Sequence, residues 1–88
     1  MRGTVLLLAA LAASPALAGP LCTNTPVEQW IPAEEMRSRI QAAGQYTIDV
    51  FKVTSGKCYE IYGRDKSGRR VEVYFSPVTG EALSKASR

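Results

Sequence analysis

The sequence predicts an α+β domain in which a single helix packs on a three-stranded antiparallel meander, in the order α-β-β-β, with Glu81 to Leu83 available as a short fourth strand and one disulfide. Three observations carry this. Cys58 to Phe75, CYEIYGRDKSGRRVEVYF, holds two alternating runs joined by a turn signal. Pro32 to Ala43 repeats apolar residues at three- and four-residue spacing and ends at Gly44. The chain has two cysteines, at positions 22 and 58.

The first 18 residues read as an export leader: Arg2, an apolar run from Val5 to Ala13, and Ala16-Leu17-Ala18 as a small-x-small cleavage site. The apolar run is shorter than the roughly twenty residues that span a bilayer. Cleavage after Ala18 leaves 70 of the 88 residues and places the protein in the periplasm or outside the cell. A chain of that size makes one small core that needs a staple. In an oxidising compartment the two thiols are most simply paired, Cys22 with Cys58. Neither competing use of them fits: histidine is absent, which argues against a metal site, and a redox pair lacks the C-x-x-C spacing.

Residues 19–31 form an extended arm. Pro20 and Pro26, with Pro32 just beyond, oppose a helix, while Leu21, Val27, Trp30 and Ile31 are too apolar for a free tail. Trp30 reads as a plug over the core beside the helix start rather than a ligand platform. The domain proper is taken as residues 32–83. Pro32 opens the helix, Glu34 and Glu35 sit where its positive end favours carboxylates, and Gly44 closes it. Ala33, Met36, Ile40 and Ala43 make its apolar stripe.

Gln45 to Val53 is the first strand. Its alternation blurs at Val50-Phe51, where a bulge would let both bury. Ser55-Gly56-Lys57 turns the chain into the second strand. Asp65-Lys66-Ser67-Gly68 fits a type I turn followed by a left-handed Gly68. Closing that loop between Asp65 and Arg69 opposes Arg64 to Arg70, Tyr62 to Glu72, Ile61 to Val73, Glu60 to Tyr74 and Tyr59 to Phe75. Tyr59, Ile61, Gly63, Val71, Val73 and Phe75 then share a core face, whereas Glu60, Tyr62, Arg64, Arg70, Glu72 and Tyr74 share a wet one. Ser76 to Gly80 breaks the third strand, and residues 84–88 are expected to fray. Cys58 falls with the outward set. Either the strand starts after it, or the arm crosses the outer face or an edge and partly covers Tyr62 and Tyr74.

Once Arg2 is removed, ten Lys or Arg stand against eight Asp or Glu. That mild, interspersed excess is an ordinary surface, not a nucleic-acid footprint. Without histidine, and with both thiols in a bridge, Glu60 and Glu72 are the remaining acid/base pair, and an open sheet gives them no cleft. No catalytic, cofactor-binding or metal-binding residues are assigned.

The lead Trp30-Ile31 into Glu34-Glu35, the exit Gly44-Gln45-Tyr46, Cys58-Tyr59-Glu60, the Asp65 to Gly68 turn and Pro77-Val78-Thr79-Gly80-Glu81 resemble the small secreted PepSY-like domains related to peptidase propeptides. The resemblance runs from about Cys22 to Leu83. It departs at Ser76, where the family commonly has an acidic residue, and at Pro32, where a capping hydroxyl is common. It implies a non-catalytic exported binding module that restrains a peptidase or assists another envelope protein, with no catalytic residues to carry over. The candidate partner face is Glu60, Tyr62, Glu72 and Tyr74, or an exposed strand edge. The alternative is binding of an anionic envelope surface through the basic hairpin tip, Arg64, Lys66, Arg69 and Arg70.

Overall fold

The computed structural model describes residues 19–88, so the leader and its cleavage site lie outside the described residues. A single 3₁₀ turn, Val27–Gln29, leads into helix α1, Ala33–Ala43. Four strands follow: β1 Thr47–Val53, β2 Tyr59–Arg64, β3 Arg70–Phe75 and β4 Ala82–Ser87. They form one antiparallel sheet in the order β1-β2-β3-β4.

The β2–β3 hairpin has the register that side-chain alternation requires, from Tyr59 opposite Phe75 to Arg64 opposite Arg70. Asp65 builds its turn. Its backbone bonds Arg69 O at 2.9 Å and Gly68 N at 3.0 Å, and its Oδ1 accepts from the Ser67 N–H, the Ser67 hydroxyl and the Arg69 N–H. Gly68 has φ +88°, the left-handed geometry the bulged turn needs. The unfavourable Arg64–Arg70 pairing is eased because Arg64 donates to Gly68 O at 3.1 Å along the tip.

Met36 and Ile40 pack on Tyr59, Ile61, Val71, Val73 and Phe75, with Trp30, Ile31, Tyr46, Ile48 and Phe51 partly buried around them. Trp30 is the plug its position suggested: it meets Tyr59 edge-on at 5.6 Å, and its indole N–H donates to Thr25 O. Tyr59 in turn donates to Ile31 O at 2.6 Å, and the Ile31 N–H bonds Pro77 O. The approach to the helix is thus fastened to the turn after β3. Ser76 Oγ accepts from the Val78 and Thr79 N–H groups. A hydroxyl therefore serves this turn where the resemblance leads to the expectation of a carboxylate.

Four expectations need correction. The helical stripe is shorter than expected, because Ala33 and Ala43 are exposed and the helix touches the sheet through Met36 and Ile40. The β1 irregularity falls between Ile48 and Val50, one position early, and Asp49 has no opposite partner. Ile48 and Phe51 therefore share the core face, and Val50 stays 44% exposed instead of burying. The end of the chain does not fray at Ser84, because pairing with β3 continues through Ser87 and the Arg88 N–H reaches Arg70 O. Finally, the outer face is not wet throughout: Glu60 and Tyr74 are buried.

The cause of that burial is the arm. Cys22 and Cys58 form the expected disulfide, with Cα atoms 5.1 Å apart, and the Cys22 N–H bonds Gly56 O at 2.8 Å. Gly56 is glycine for steric reasons: a Cβ there would lie 2.1 Å from Pro20 O. The arm then crosses the outer face until Gly19 rests against the Tyr74 ring. Both readings of Cys58 hold: β2 starts at Tyr59, just after it, and the arm also crosses the outer face, where Gly19 lies against Tyr74 while Leu21 is 67% exposed.

The bridge spans 36 positions, for which loop entropy gives a stabilisation of about 4 kcal/mol. Replacing Cys22 and Cys58 together by alanine is expected to lower the unfolding free energy by about that amount in a denaturant titration. A midpoint unmoved by the substitution, or by reductant on the parent, contradicts the clasp.

Candidate functional site

Three regions collect side chains with chemical potential: the outer face, the hairpin tip and the helix-facing side near β4. On the outer face, cross-strand order places Lys52 beside Glu60, then Tyr74 and Ser84; the next row is Val50, Tyr62, Glu72 and Ala86. Of the four candidate partner-face residues, Glu60 and Tyr74 are buried, and Tyr62 and Glu72 are half-buried. Tyr74 donates to Glu72 Oε2 at 2.7 Å. Lys52 Nζ is 3.8 Å from Glu60 Oε1, while Glu60 Oε2 has no hydrogen-bond partner among the described residues. Tyr62 lies between two cations, with the Arg88 guanidinium 4.1 Å and Lys52 Nζ 5.0 Å from its ring centre.

Burial, and then the neighbouring Glu72 carboxyl, push Glu60 up to about 7. Glu72 moves the other way, held down by the Glu60 carboxyl beside it and then by the Tyr74 hydroxyl. Tyr74 is raised, by burial first and by its bond to Glu72 second. Glu60 is therefore the member of the pair that keeps its proton to higher pH, and Glu72 the one that ionises first. The pair has separated acid and base tendencies, but it lies beneath the arm and opens onto no described cavity. Among the described residues no three His, Cys, Asp or Glu gather as metal ligands.

The basic tip is partly spoken for. Arg64 holds Gly68 O, and Arg69 bonds Ser67 Oγ and lies 3.6 Å from the Asp65 carboxylate. The Ser67 hydroxyl, followed by the Arg69 N–H, keeps Asp65 below its ordinary range. Lys66 and Arg70 remain exposed.

The third region escaped sequence reasoning. Because α1 covers only part of the core face, a recess of about 210 Å³ opens beside the helix end, lined by Ile40, Ala43, Gln45, Tyr46, Phe75 and Ala82. It adjoins a second of about 280 Å³, which shares Gln45 and Tyr46 and reaches Asp65, Lys66, Ser67, Arg69 and Lys85. One groove thus runs from an apolar end to a cationic one. Its edge is β4, all of whose residues are exposed. Arg88 N bonds Arg70 O, so the alternation of an antiparallel ladder turns the backbone of Ser84 and Ala86 toward β3 and that of Lys85 and Ser87 outward. The one signal in the sequence was the narrowness of the helical stripe, too small to cover four strands.

A family model described as "Peptidase propeptide and YPEB domain", PepSY_2, matches residues 3–86. No curated protein matches the chain, and no solved structure does.

The Glu60 shift generates a pH prediction for the 88-residue chain. Its folded value, about 7, exceeds the ordinary 4.5, so the folded state keeps a proton that the unfolded state releases. Its contribution is full below about 4.5 and is lost as pH rises toward 7. Over that window the parent is expected to lose on the order of 2–3 kcal/mol relative to Glu60→Gln, read by chemical denaturation. Parallel profiles for the two proteins contradict the assignment.

Proposed function

We propose that this chain, which belongs to the PepSY_2 family of peptidase propeptide and YPEB domains, is a non-catalytic exported module that restrains a peptidase by pairing β4 with an extended segment of it. The observation carrying this reading is the unpaired β4 edge beside a groove. Outward backbone groups at Lys85 and Ser87 supply a ladder, and the recess under Ala82 and Phe75 admits an apolar side chain. Lys66 and Lys85 at the far end favour an acidic group on the same segment, since the Asp65 carboxylate is already occupied by its own turn. The other sheet edge is less suited, because β1 is broken in mid-strand at Asp49, whereas the irregularity of β4 lies at Leu83, ahead of the Lys85 and Ser87 groups. The outer face is also less suited, with Glu60 and Tyr74 covered.

Export to the periplasm or beyond agrees with the leader pattern and with the disulfide. No helix among the described residues is long and apolar enough to cross a membrane. The charge-driven alternative, binding of an anionic surface by the hairpin tip, lacks a comparable observation, since Arg64 and Arg69 are engaged in folding the tip.

The test uses a photo-cross-linker at Ser87 in cells producing the exported protein, followed by activity assays on any exported peptidase recovered. Capture is expected to resist salt, to inhibit the peptidase, to disappear in Lys85→Pro and to survive in Lys85→Gln. The proline removes an outward N–H without breaking the β3 ladder. Filling the recess with Ala43→Phe should weaken binding about tenfold or more. Salt-sensitive binding abolished by Arg69→Ser with Arg70→Ser, and indifferent to Lys85→Pro, overturns the reading in favour of a charged surface.

A further inference from the structure

Among the described residues the outer face holds a buried carboxyl oxygen that accepts no hydrogen bond, Glu60 Oε2, and the end of the arm lies against the neighbouring Tyr74. We propose that removal of residues 1–18 creates an α-ammonium group at Gly19 that seats in the Glu60–Glu72 pair, so that processing itself completes the outer face. The inference goes beyond peptidase binding and uses the cleavage expected after Ala18.

Gly19 is placed for this. A Cβ on it would lie 2.3 Å from Tyr74 Cε2, 2.4 Å from Cζ and 2.7 Å from the hydroxyl oxygen, so its bare α-carbon sits against the ring, with φ +91°. The same hydroxyl is 2.7 Å from Glu72 Oε2, and Tyr74 stands opposite Glu60 in the ladder. The Gly19 α-carbon therefore packs on the ring whose hydroxyl bonds one carboxyl of the pair and whose strand position faces the other. Cys22, three residues on, is covalently fixed to Cys58 and bonded to Gly56, which leaves the arm little freedom to carry its end elsewhere.

The chemistry of the site asks for a cation. Glu60 is 1% exposed, and among the described residues its Oε2 accepts no hydrogen bond, so that its carboxyl is left to share a proton with Glu72. The charged and titratable groups facing it are Lys52 from β1, Glu72 and Tyr74 from β3, Tyr62 of its own strand and Arg88 past β4. Lys52 is 3.8 Å from the other Glu60 oxygen, and Arg88 is stacked over Tyr62. In the uncut chain Gly19 offers a neutral amide with one N–H. After cleavage it offers three N–H donors and a positive charge, which satisfy Oε2 and let Glu60 ionise beside Glu72.

The linkage keeps the sign it has in the uncut chain, with stability lost as pH rises, but its window moves upward. An ammonium held by carboxylates titrates above its ordinary value of about 7.7–8.0. Its stabilisation is full below that range and is lost as pH rises through the raised value, while the loss between about 4.5 and 7 attributed to Glu60 shrinks.

The experiment begins with the intact mass and N-terminal sequence of the exported protein, which should start at Gly19. That protein is compared with its Nα-acetylated form, each with Glu60 and with Glu60→Gln. The α-amine of the unmodified protein, followed by NMR, is expected to titrate about one unit above the ordinary range. Acetylation should lower the melting temperature by several degrees at pH 7, and Glu60→Gln should remove most of both effects. Should Glu60→Gln fail to fold, the free and acetylated parents decide alone. A mature N-terminus elsewhere, or free and acetylated proteins that melt together with an α-amine of ordinary pKa, overturns the proposal. Neither result depends on a peptidase partner, so failure here is separable from failure of the binding reading.

Discussion

Everything in this domain rests on the pairing of Ile61 with Val73 in the β2–β3 hairpin. With the side-chain period of two, that match sends Tyr59, Ile61, Val71, Val73 and Phe75 to the helix and Glu60, Tyr62, Glu72 and Tyr74 to the opposite face. A slip of one residue would bring carboxylates under Met36 and Ile40. The Asp65 turn prevents it by fastening three backbone or hydroxyl donors to one carboxylate oxygen. The core, the groove beside β4 and the carboxyl pair all follow from that one alignment.

Around this hairpin the protein has two coverings of unequal kind. The helix covers one side by apolar contact, and incompletely, which leaves the groove near Phe75 and Ala82. The arm covers the other side by a covalent bond and backbone contacts, with little apolar area, since Leu21 and Val27 stay exposed. A covalent tether suits that side because a polar face offers a crossing segment little hydrophobic gain. What the arm hides is therefore polar, and burial without apolar compensation is what perturbs Glu60 and Tyr74.

The hairpin, its register and the helix were legible because each rests on local rules: alternation, a left-handed glycine, and proline and glycine at the helix ends. The disulfide was legible from compartment and count. The bulge at Asp49 was not, since Ile48, Val50, Phe51 and Val53 put apolar residues on both parities and alternation loses its meaning. The full length of β4 was hidden for another reason. Ala-Leu-Ser-Lys-Ala-Ser has weak intrinsic strand preference and becomes a strand only through its neighbour β3. The outer-face site was half legible. Glu60, Tyr62, Glu72 and Tyr74 were placed together correctly, but their cover depends on a path of the arm that no local signal specifies, and Lys52 joins them only once the bulge has set the β1 register.

The irregularity at Asp49 also bears on self-association. A sheet with two equivalent open margins can add copies of itself without limit, each newcomer exposing the next place of attachment. Here the two margins differ, since β1 is interrupted in mid-strand beside Lys52 while β4 is irregular only near its start, around Leu83. Contact between two β4 margins would use up both and close on a two-fold axis, so that growth would halt at a pair.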